Sequence, residues 1–326
     1  MKVAVTGANG HVGACLTRLL LKENHEVRVL VHTGSRALQG LNVETVKGDL
    51  DDSDALKRLC RDREVVFHLA AKISIGRENY DEVSKINVKG TKNLAAAASR
   101  EASVKRFVHF SSIHALQQFP QDKPLDETFP LALHSEIVYE KTKALAEKWI
   151  LEQNSPDFQV IVLNPTAITG PYDFKPSYLG QVIQMIYKGT LPGLVPGGYN
   201  WVDVRDVAQA AVNAMEKGEP GERYLLSGEW HSLKSLARLV CVHRNKKCRL
   251  PVFPFWLARM GVPFMSLYAR WKKQEPLYTK ISLTILQSSN RHILHDKAGR
   301  VLGFSPRPLE ESVADTLAWF KKHQYL

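Results

Sequence analysis

The chain has 326 residues, 44% of them hydrophobic and 24% charged, with a formal net charge of +11. That balance excludes a disordered chain and a small disulfide-held scaffold, and predicts one large globular domain or a domain with a smaller lobe. No apolar run is long enough to span a bilayer, and Cys15, Cys60, Cys241 and Cys248 lack C-x-x-C spacing, so reduced thiols in a cytoplasmic protein are expected. The charge is uneven. Residues 1–163 hold 22 Lys and Arg against 21 Asp and Glu, whereas residues 164–326 hold 22 against 12. An anionic partner near the C-terminal half is one reading, and a solvated basic surface is the other.

In chain order, Val3–Val5 reads as a short buried strand running into a glycine turn, which leaves no room ahead of it for a signal peptide. An amphipathic helix follows through Val12, Leu16, Leu19 and Leu20. Val27–Val31, Val43–Val46 and Val65–Leu69 read as three further strands, and Leu94–Ala98 as the apolar part of a helix. Arg106–Phe110 makes a fifth strand, Leu145–Leu151 lies in a helix, and Val160–Leu163 is a sixth strand. Apolar strands separated by helices predict crossover βαβ units and a parallel sheet covered on both faces, an α/β doubly wound fold.

Past Pro165 the pattern changes, because Pro and Gly punctuate 165–200 before Val204–Met215 returns to helical spacing. A dinucleotide-binding domain over 1–164 is expected, with 201–228 and 305–326 returning to it. Residues 165–200 and 229–304 should form a smaller substrate-binding lobe at the carboxyl edge of the sheet, where open α/β sheets bind ligands. The C-terminal helix over Leu309–Phe320 is expected to pack back on the body.

Gly7-Ala8-Asn9-Gly10-His11-Val12-Gly13 lies between the first strand and the first helix. Glycines there allow a tight turn and let the backbone approach a pyrophosphate, while the helix N-terminus offers N–H donors. Tyr139 and Lys143 stand four apart, so on a helix they share a face. A nearby ammonium would lower a phenol's pKa and suit it to proton transfer at neutral pH. Ser111-Ser112 ends the fifth strand and supplies a hydroxyl to hold a substrate oxygen. The 12 histidines form no metal signature, and no metal is expected.

The G-x-x-G-x-x-G spacing, Asn87-Val88-Lys89-Gly90-Thr91 and the Tyr-x-x-x-Lys resemble the extended short-chain dehydrogenase/reductase family, in the NAD-dependent epimerase/dehydratase superfamily. The resemblance covers nearly the whole chain and implies an NAD(P)-dependent oxidoreductase with a Ser112, Tyr139, Lys143 site. It also implies cofactor contacts from Gly7, Asn9, Gly10, His11, Val12, Gly13, Asp49, Leu50, Leu69, Ala70, Ala71, Asn87, Tyr139, Lys143, Pro165, Thr166 and Ile168. For Asn87 a plain helix N-cap is an equally good reading. The second strand ends without an acidic residue, so His32, Ser35 and Arg36 are expected to take a 2′-phosphate. NADP(H) is therefore favoured, with NAD(H) as the alternative. His114, Gln117, Tyr172 and Tyr178 are candidate substrate contacts. Of the two serines, the resemblance favours Ser112, and Ser111 is expected to be satisfied by backbone.

Two further readings compete with a reductase. Nucleotide-sugar epimerases and dehydratases, with tightly bound NAD, usually carry Asn where Ala167 stands and an Arg-Asp-Phe or close variant before a V-x-D element; this chain has Tyr199-Asn200-Trp201-Val202-Asp203-Val204-Arg205-Asp206, so that Arg is missing. A non-catalytic cofactor sensor usually loses the Tyr or the Lys. Leu163–Pro171, Gly221–Gly228 and Leu302–Pro308 instead look like dihydroflavonol reductase and its bacterial relatives. The substrate expected is a small carbonyl compound, apolar or amphipathic, with no nucleic-acid partner. A homodimer through the Tyr139 helix is common in the family. Residues 250–273 are basic and aromatic: Pro254 and Pro263 should break them into short helical pieces that roof the substrate pocket or meet a membrane peripherally.

Overall fold

The computed structural model describes all residues except 33, 35, 75–78, 246 and 272–278, and of residues 264–271 it describes the backbone alone. A seven-stranded parallel sheet carries the first part of the chain. Its strands are β1 (Lys2–Thr6), β2 (Glu26–Val31), β3 (Glu44–Lys47), β4 (Val65–His68), β5 (Arg106–Phe110), β6 (Gln159–Pro165) and β9 (Arg223–Leu226), in the order β3-β2-β1-β4-β5-β6-β9. The chain reverses direction across the sheet between β1 and β4, and such a switch point opens a crevice at the carboxyl ends of the strands. The fold is a Rossmann-type doubly wound sheet, as the alternation of apolar strands and helices predicts.

Strand alternation decides which residues face which helices. Val3 and Val5 of β1, Val27 and Val29 of β2, and Ile161 and Leu163 of β6 point to one face, packed by α1 (His11–Lys22) and α7 (Val204–Lys217). Their neighbours Ala4, Leu30, Val160 and Val162 point to the other face, under α2 (Ser53–Cys60), α4 (Gly90–Ser99) and α5 (Val138–Leu151). Because both faces are covered, these strands read as continuous apolar runs. A short α3 (Tyr80–Ser84) leads through one π-helical turn, Lys85–Lys89, into α4.

A second core gathers around α6 (Tyr178–Lys188), α8 (Leu233–Val242), α9 (Phe255–Trp271) and α10 (Lys280–Ser288). The small sheet β7 (Ala167–Thr169), β8 (Gly198–Asp203) and β10 (Trp230–Ser232) lies beside it, in the order β10-β8-β7. Three expectations change here. The last helix, α12 (Leu309–Lys322), places Leu309, Val313, Leu317 and Phe320 in this second core and not on the Rossmann body. Conversely, α11 (Asp296–Leu302), expected in the lobe, lays Ala298 and Leu302 with Phe304 against the Rossmann core. An apolar stripe fixes that a helix packs, but not which core it packs on.

The third change is α9, which runs through Pro263 as one helix. Pro254 sits just before it, where its carbonyl accepts from Leu257 and Ala258, so it starts the helix and does not break it. Pro263 costs the helix the bond its missing N–H would make to the Arg259 carbonyl, without ending it.

Candidate active site

The turn after β1 is built by close backbone approach. Gly7 has φ +75°, and a Cβ there would stand 2.6 Å from the Ala70 nitrogen. A Cβ on Gly13 would stand 2.1 Å from the Gly7 carbonyl oxygen. Gly10 caps α1 with no side chain, and the first turn of the helix holds no acidic residue. The amides of that turn thus receive no cap from a Gly10 side chain, and they follow β1 directly at the carboxyl end of the sheet. This cradle fits a dinucleotide's diphosphate: a bulkier turn would fill it, and an acidic first turn would repel it. His11 meets the second lobe, with its Nε2 at 2.9 Å from the Pro171 carbonyl.

Behind the cradle lies a column of buried polar groups. His68 ends β4 opposite Thr6 on one side and His109 on the other. Its Nδ1 is hydrogen-bonded to Thr6 Oγ1 at 2.8 Å and its Nε2 to Thr91 Oγ1 at 2.9 Å. Burial pulls the His68 imidazole down to about 3, and burial with the Lys143 charge lowers His109 well below the usual range. Both rings are neutral in the folded protein.

The helix α5 carries Tyr139 and Lys143 on one face, and the turn after β5 carries Ser112. Ser112 stands close enough to the Tyr139 phenol to oppose the effect of its burial, and its Oγ accepts from the His114 amide at 3.2 Å. Lys143 is buried, with Nζ donating to the Phe110 carbonyl at 2.6 Å. The structure therefore brings Ser112, Tyr139 and Lys143 together. One expectation is corrected: burial raises the Tyr139 phenol, Ser112 only partly opposes it, and Lys143 is not among the groups that lower it. Burial also pulls Lys143 down to about 8, with Glu147 holding it up.

Glu147 is the residue that sequence reasoning missed. It lies one helical turn beyond Lys143, fully buried, and its carboxylate accepts from Asn164 Nδ2 at 2.7 Å and pairs with Arg223 Nε at 3.0 Å. Ser111 lies beside this carboxylate and lowers its pKa, but its buried hydroxyl has neither the backbone partner expected of it nor any other hydrogen-bond partner among the described residues. The available signal was the spacing Tyr139, Lys143, Glu147, which puts three polar groups on one stripe of a helix that must pack.

The remaining expected residues divide. Asn87 is no N-cap: it sits in the π-helical turn, accepting from the Lys72 amide at 2.8 Å and donating to Thr142 Oγ1 at 3.1 Å. Only 2% exposed, it clamps the segment after β4 to α5 from behind the crevice. Leu69, Ala70 and Ala71 follow β4 at the crevice mouth, and Pro165 ends β6. Thr166 bonds the Leu226 carbonyl through its amide at 3.1 Å, and Ile168 lies in β7. Asp49 Oδ1 accepts from the amides of Asp51 and Asp52, closing the turn into α2, and Leu50 packs under Gly90 of α4. Val12 packs with the Rossmann core. Asn9 lies in the cradle turn between Gly7 and Gly10.

His32 and Arg36 are exposed beyond β2, and Arg36 lies over the Tyr325 ring at 5.6 Å from its centroid. Ser35 lies outside the described residues. Of the substrate candidates, His114 meets the Tyr139 ring edge-on at 6.2 Å and stands 3.6 Å from Glu140. The other three are engaged elsewhere. Gln117 turns its amide to the Leu131 carbonyl, Tyr172 lies under the Arg18 guanidinium at 5.3 Å, and Tyr178 opens α6 in the second core.

Near Val202-Asp203-Val204 the cations are already paired. Arg205 holds Asp203 at 2.8 Å and Asp315 at 2.6 Å, and Arg307 holds Asp206 at 2.7 Å. Among the described residues no cluster of His, Cys, Asp or Glu could hold a metal ion, and no helix is long and apolar enough to cross a membrane.

Residues 3–227 match the NAD dependent epimerase/dehydratase family. The chain is 33% identical to sterol demethylase protein B of Methylococcus capsulatus, over 99% of each protein. It is 30% identical to a putative dihydroflavonol 4-reductase of Synechocystis sp., over 99% of this chain and 95% of that one. The crystal structure of gox2253 superposes with a TM-score of 0.83 at 34% identity, covering 99% of this chain and 98% of that one.

Proposed function

Because the chain belongs to the NAD-dependent epimerase/dehydratase family, and is an NAD(P)-dependent oxidoreductase of that kind, we propose that it reduces a ketone or aldehyde of an apolar or amphipathic molecule with NADPH. The observation that carries this reading is the approach of Ser112, just past the carboxyl end of β5, to Tyr139, with Lys143 one turn along the same helix and bonded to the Phe110 carbonyl at the end of that strand. A bound nicotinamide cofactor supplies the hydride to the carbonyl carbon. Ser112 donates a hydrogen bond to the carbonyl oxygen and holds it beside Tyr139. As that oxygen gains negative charge, the Tyr139 phenol gives up its proton to it, and Lys143 steadies the phenolate left behind. The amides of the first turn of α1 would hold the cofactor's diphosphate.

Two observations favour a reductase over a nucleotide-sugar enzyme. Ala167 offers no side-chain hydrogen bond, and Arg205 and Arg307 are neutralised by carboxylates instead of standing free for a diphosphate substrate. An apolar substrate is in keeping with the sterol in the name of the relative from Methylococcus capsulatus. Oxidation of NADPH measured over a panel of aldehydes and ketones graded from polar to sterol-like should find turnover at the apolar end. Turnover confined to small polar carbonyls, or epimerisation of a nucleotide-sugar in a parallel assay, would replace this reading.

A further inference from the structure

The helix α9 is apolar on two opposite sides. Phe255, Ala258 and Val262, spaced three and four apart, face inward and join the second core. On the outward side Trp256 is 64% exposed and Met260 64%, with Leu257 beside them at 39%. The loop leading into the helix adds Val252 and Phe253, 40% and 37% exposed. A surface helix ordinarily turns polar residues to water on the side away from its core. Here the outward side carries an aromatic, a thioether and a leucine, so it presents a contiguous apolar patch that calls for a cover.

The surroundings of the patch choose the cover. Between Trp230 and Gln274 the chain holds ten Lys and Arg and no Asp or Glu. Lys247, Arg249 and Arg259 are exposed there, and Arg259 is held by the neutral amide of Gln287 at 2.9 Å. A second copy of the chain would set two such basic faces against each other, which like-charge repulsion opposes. We propose that the outward side of α9 and the loop before it dock on an anionic lipid surface. Trp256, Leu257 and Met260 enter the headgroup boundary, while the basic residues around them meet lipid phosphates. None of these side chains belongs to the Ser112, Tyr139, Lys143 site, so the inference stands or falls apart from the proposed reaction.

Co-sedimentation of the full chain with vesicles tests it, using phosphatidylglycerol mixed with phosphatidylcholine against phosphatidylcholine alone. At about 0.01 M salt the protein should pellet with the anionic vesicles, and at about 1 M, where screening shortens to about 3 Å, it should stay in solution. A Trp256→Glu, Met260→Glu double variant should keep the thermal unfolding of the unaltered protein, since both side chains are exposed. It should bind anionic vesicles about tenfold more weakly or worse. An Arg249→Gln, Arg259→Gln variant should weaken binding at low salt by removing charge alone. No binding to anionic vesicles at low salt overturns the proposal. So does undiminished binding of the Trp256, Met260 variant, which would mean diffuse basic adsorption. A concentration-dependent dimer that this variant abolishes, without vesicle binding, would identify a second copy as the cover instead.

Discussion

Burial holds the Tyr139 phenol above its ordinary value, so at neutral pH it carries its proton and is set to give it. Tyr139→Phe keeps the ring and removes that proton. Turnover on the best carbonyl substrate should fall about 10²–10⁴-fold with cofactor binding retained, and near-normal turnover would remove Tyr139 from the chemistry. Lys143 is the more delicate residue, because burial has brought it to about 8 and the Glu147 carboxylate one turn away holds it there. The cationic form is needed to steady a phenolate, so activity should decline as pH rises through about 8. Neutralising Glu147 removes the influence that raises Lys143. In Glu147→Gln the alkaline midpoint should therefore move to lower pH, while the amide keeps the oxygen that accepts from Asn164. That shift would make Glu147 a positioning residue acting through Lys143. If the variant lost turnover evenly at all pH values, Glu147 would be a structural strut joining α5 to β6 and β9.

Strand ends carry a second load that their apolar patterns conceal. His68 ties β4 to β1 through Thr6 and to α4 through Thr91, and it does so as a neutral ring. Its value is lowered in the fold from 6.5 to about 3. Between those values the unfolded chain binds a proton that the folded chain refuses. Stability contributed by this ring is therefore complete above about 6.5 and is lost as pH falls toward 3. His68→Gln keeps donor and acceptor for the two threonines but does not titrate. The variant should lose less Tm than the unaltered protein between about pH 7 and about pH 4.5; an equal loss would place the acid sensitivity elsewhere. At the same scale, α9 shows how far local signals reach. Pro263 forfeits one helical bond at a cost of about 3 kcal/mol, yet the helix persists because Phe255, Ala258 and Val262 are packed along its inner side.

Across the whole molecule, the C-terminal segment folds over to the second strand and puts Tyr325 beneath Arg36. That stack holds a cation just beyond the end of β2, the position proposed for a 2′-phosphate, with no carboxylate pairing it among the described residues. NADPH should accordingly bind more tightly than NADH, and Arg36→Ala should weaken NADPH by about tenfold while sparing NADH, read by titration of cofactor fluorescence. Equal affinity of the unaltered protein for both cofactors would sink this assignment. The sequence by itself determined the parallel sheet, the glycine cradle and the Tyr139–Lys143 face. These depend on periodicity, on backbone approach that only glycine permits, and on helical spacing, all of which are local. Only the tertiary structure decided that Glu147, Arg223, Asn164 and Ser111 converge behind the site, that Asn87 clamps from the rear, and that α11 and α12 exchange the cores expected for them. Those pairings join residues far apart in the chain, and what selects them is the burial of charge and apolar surface in three dimensions, which no local pattern records.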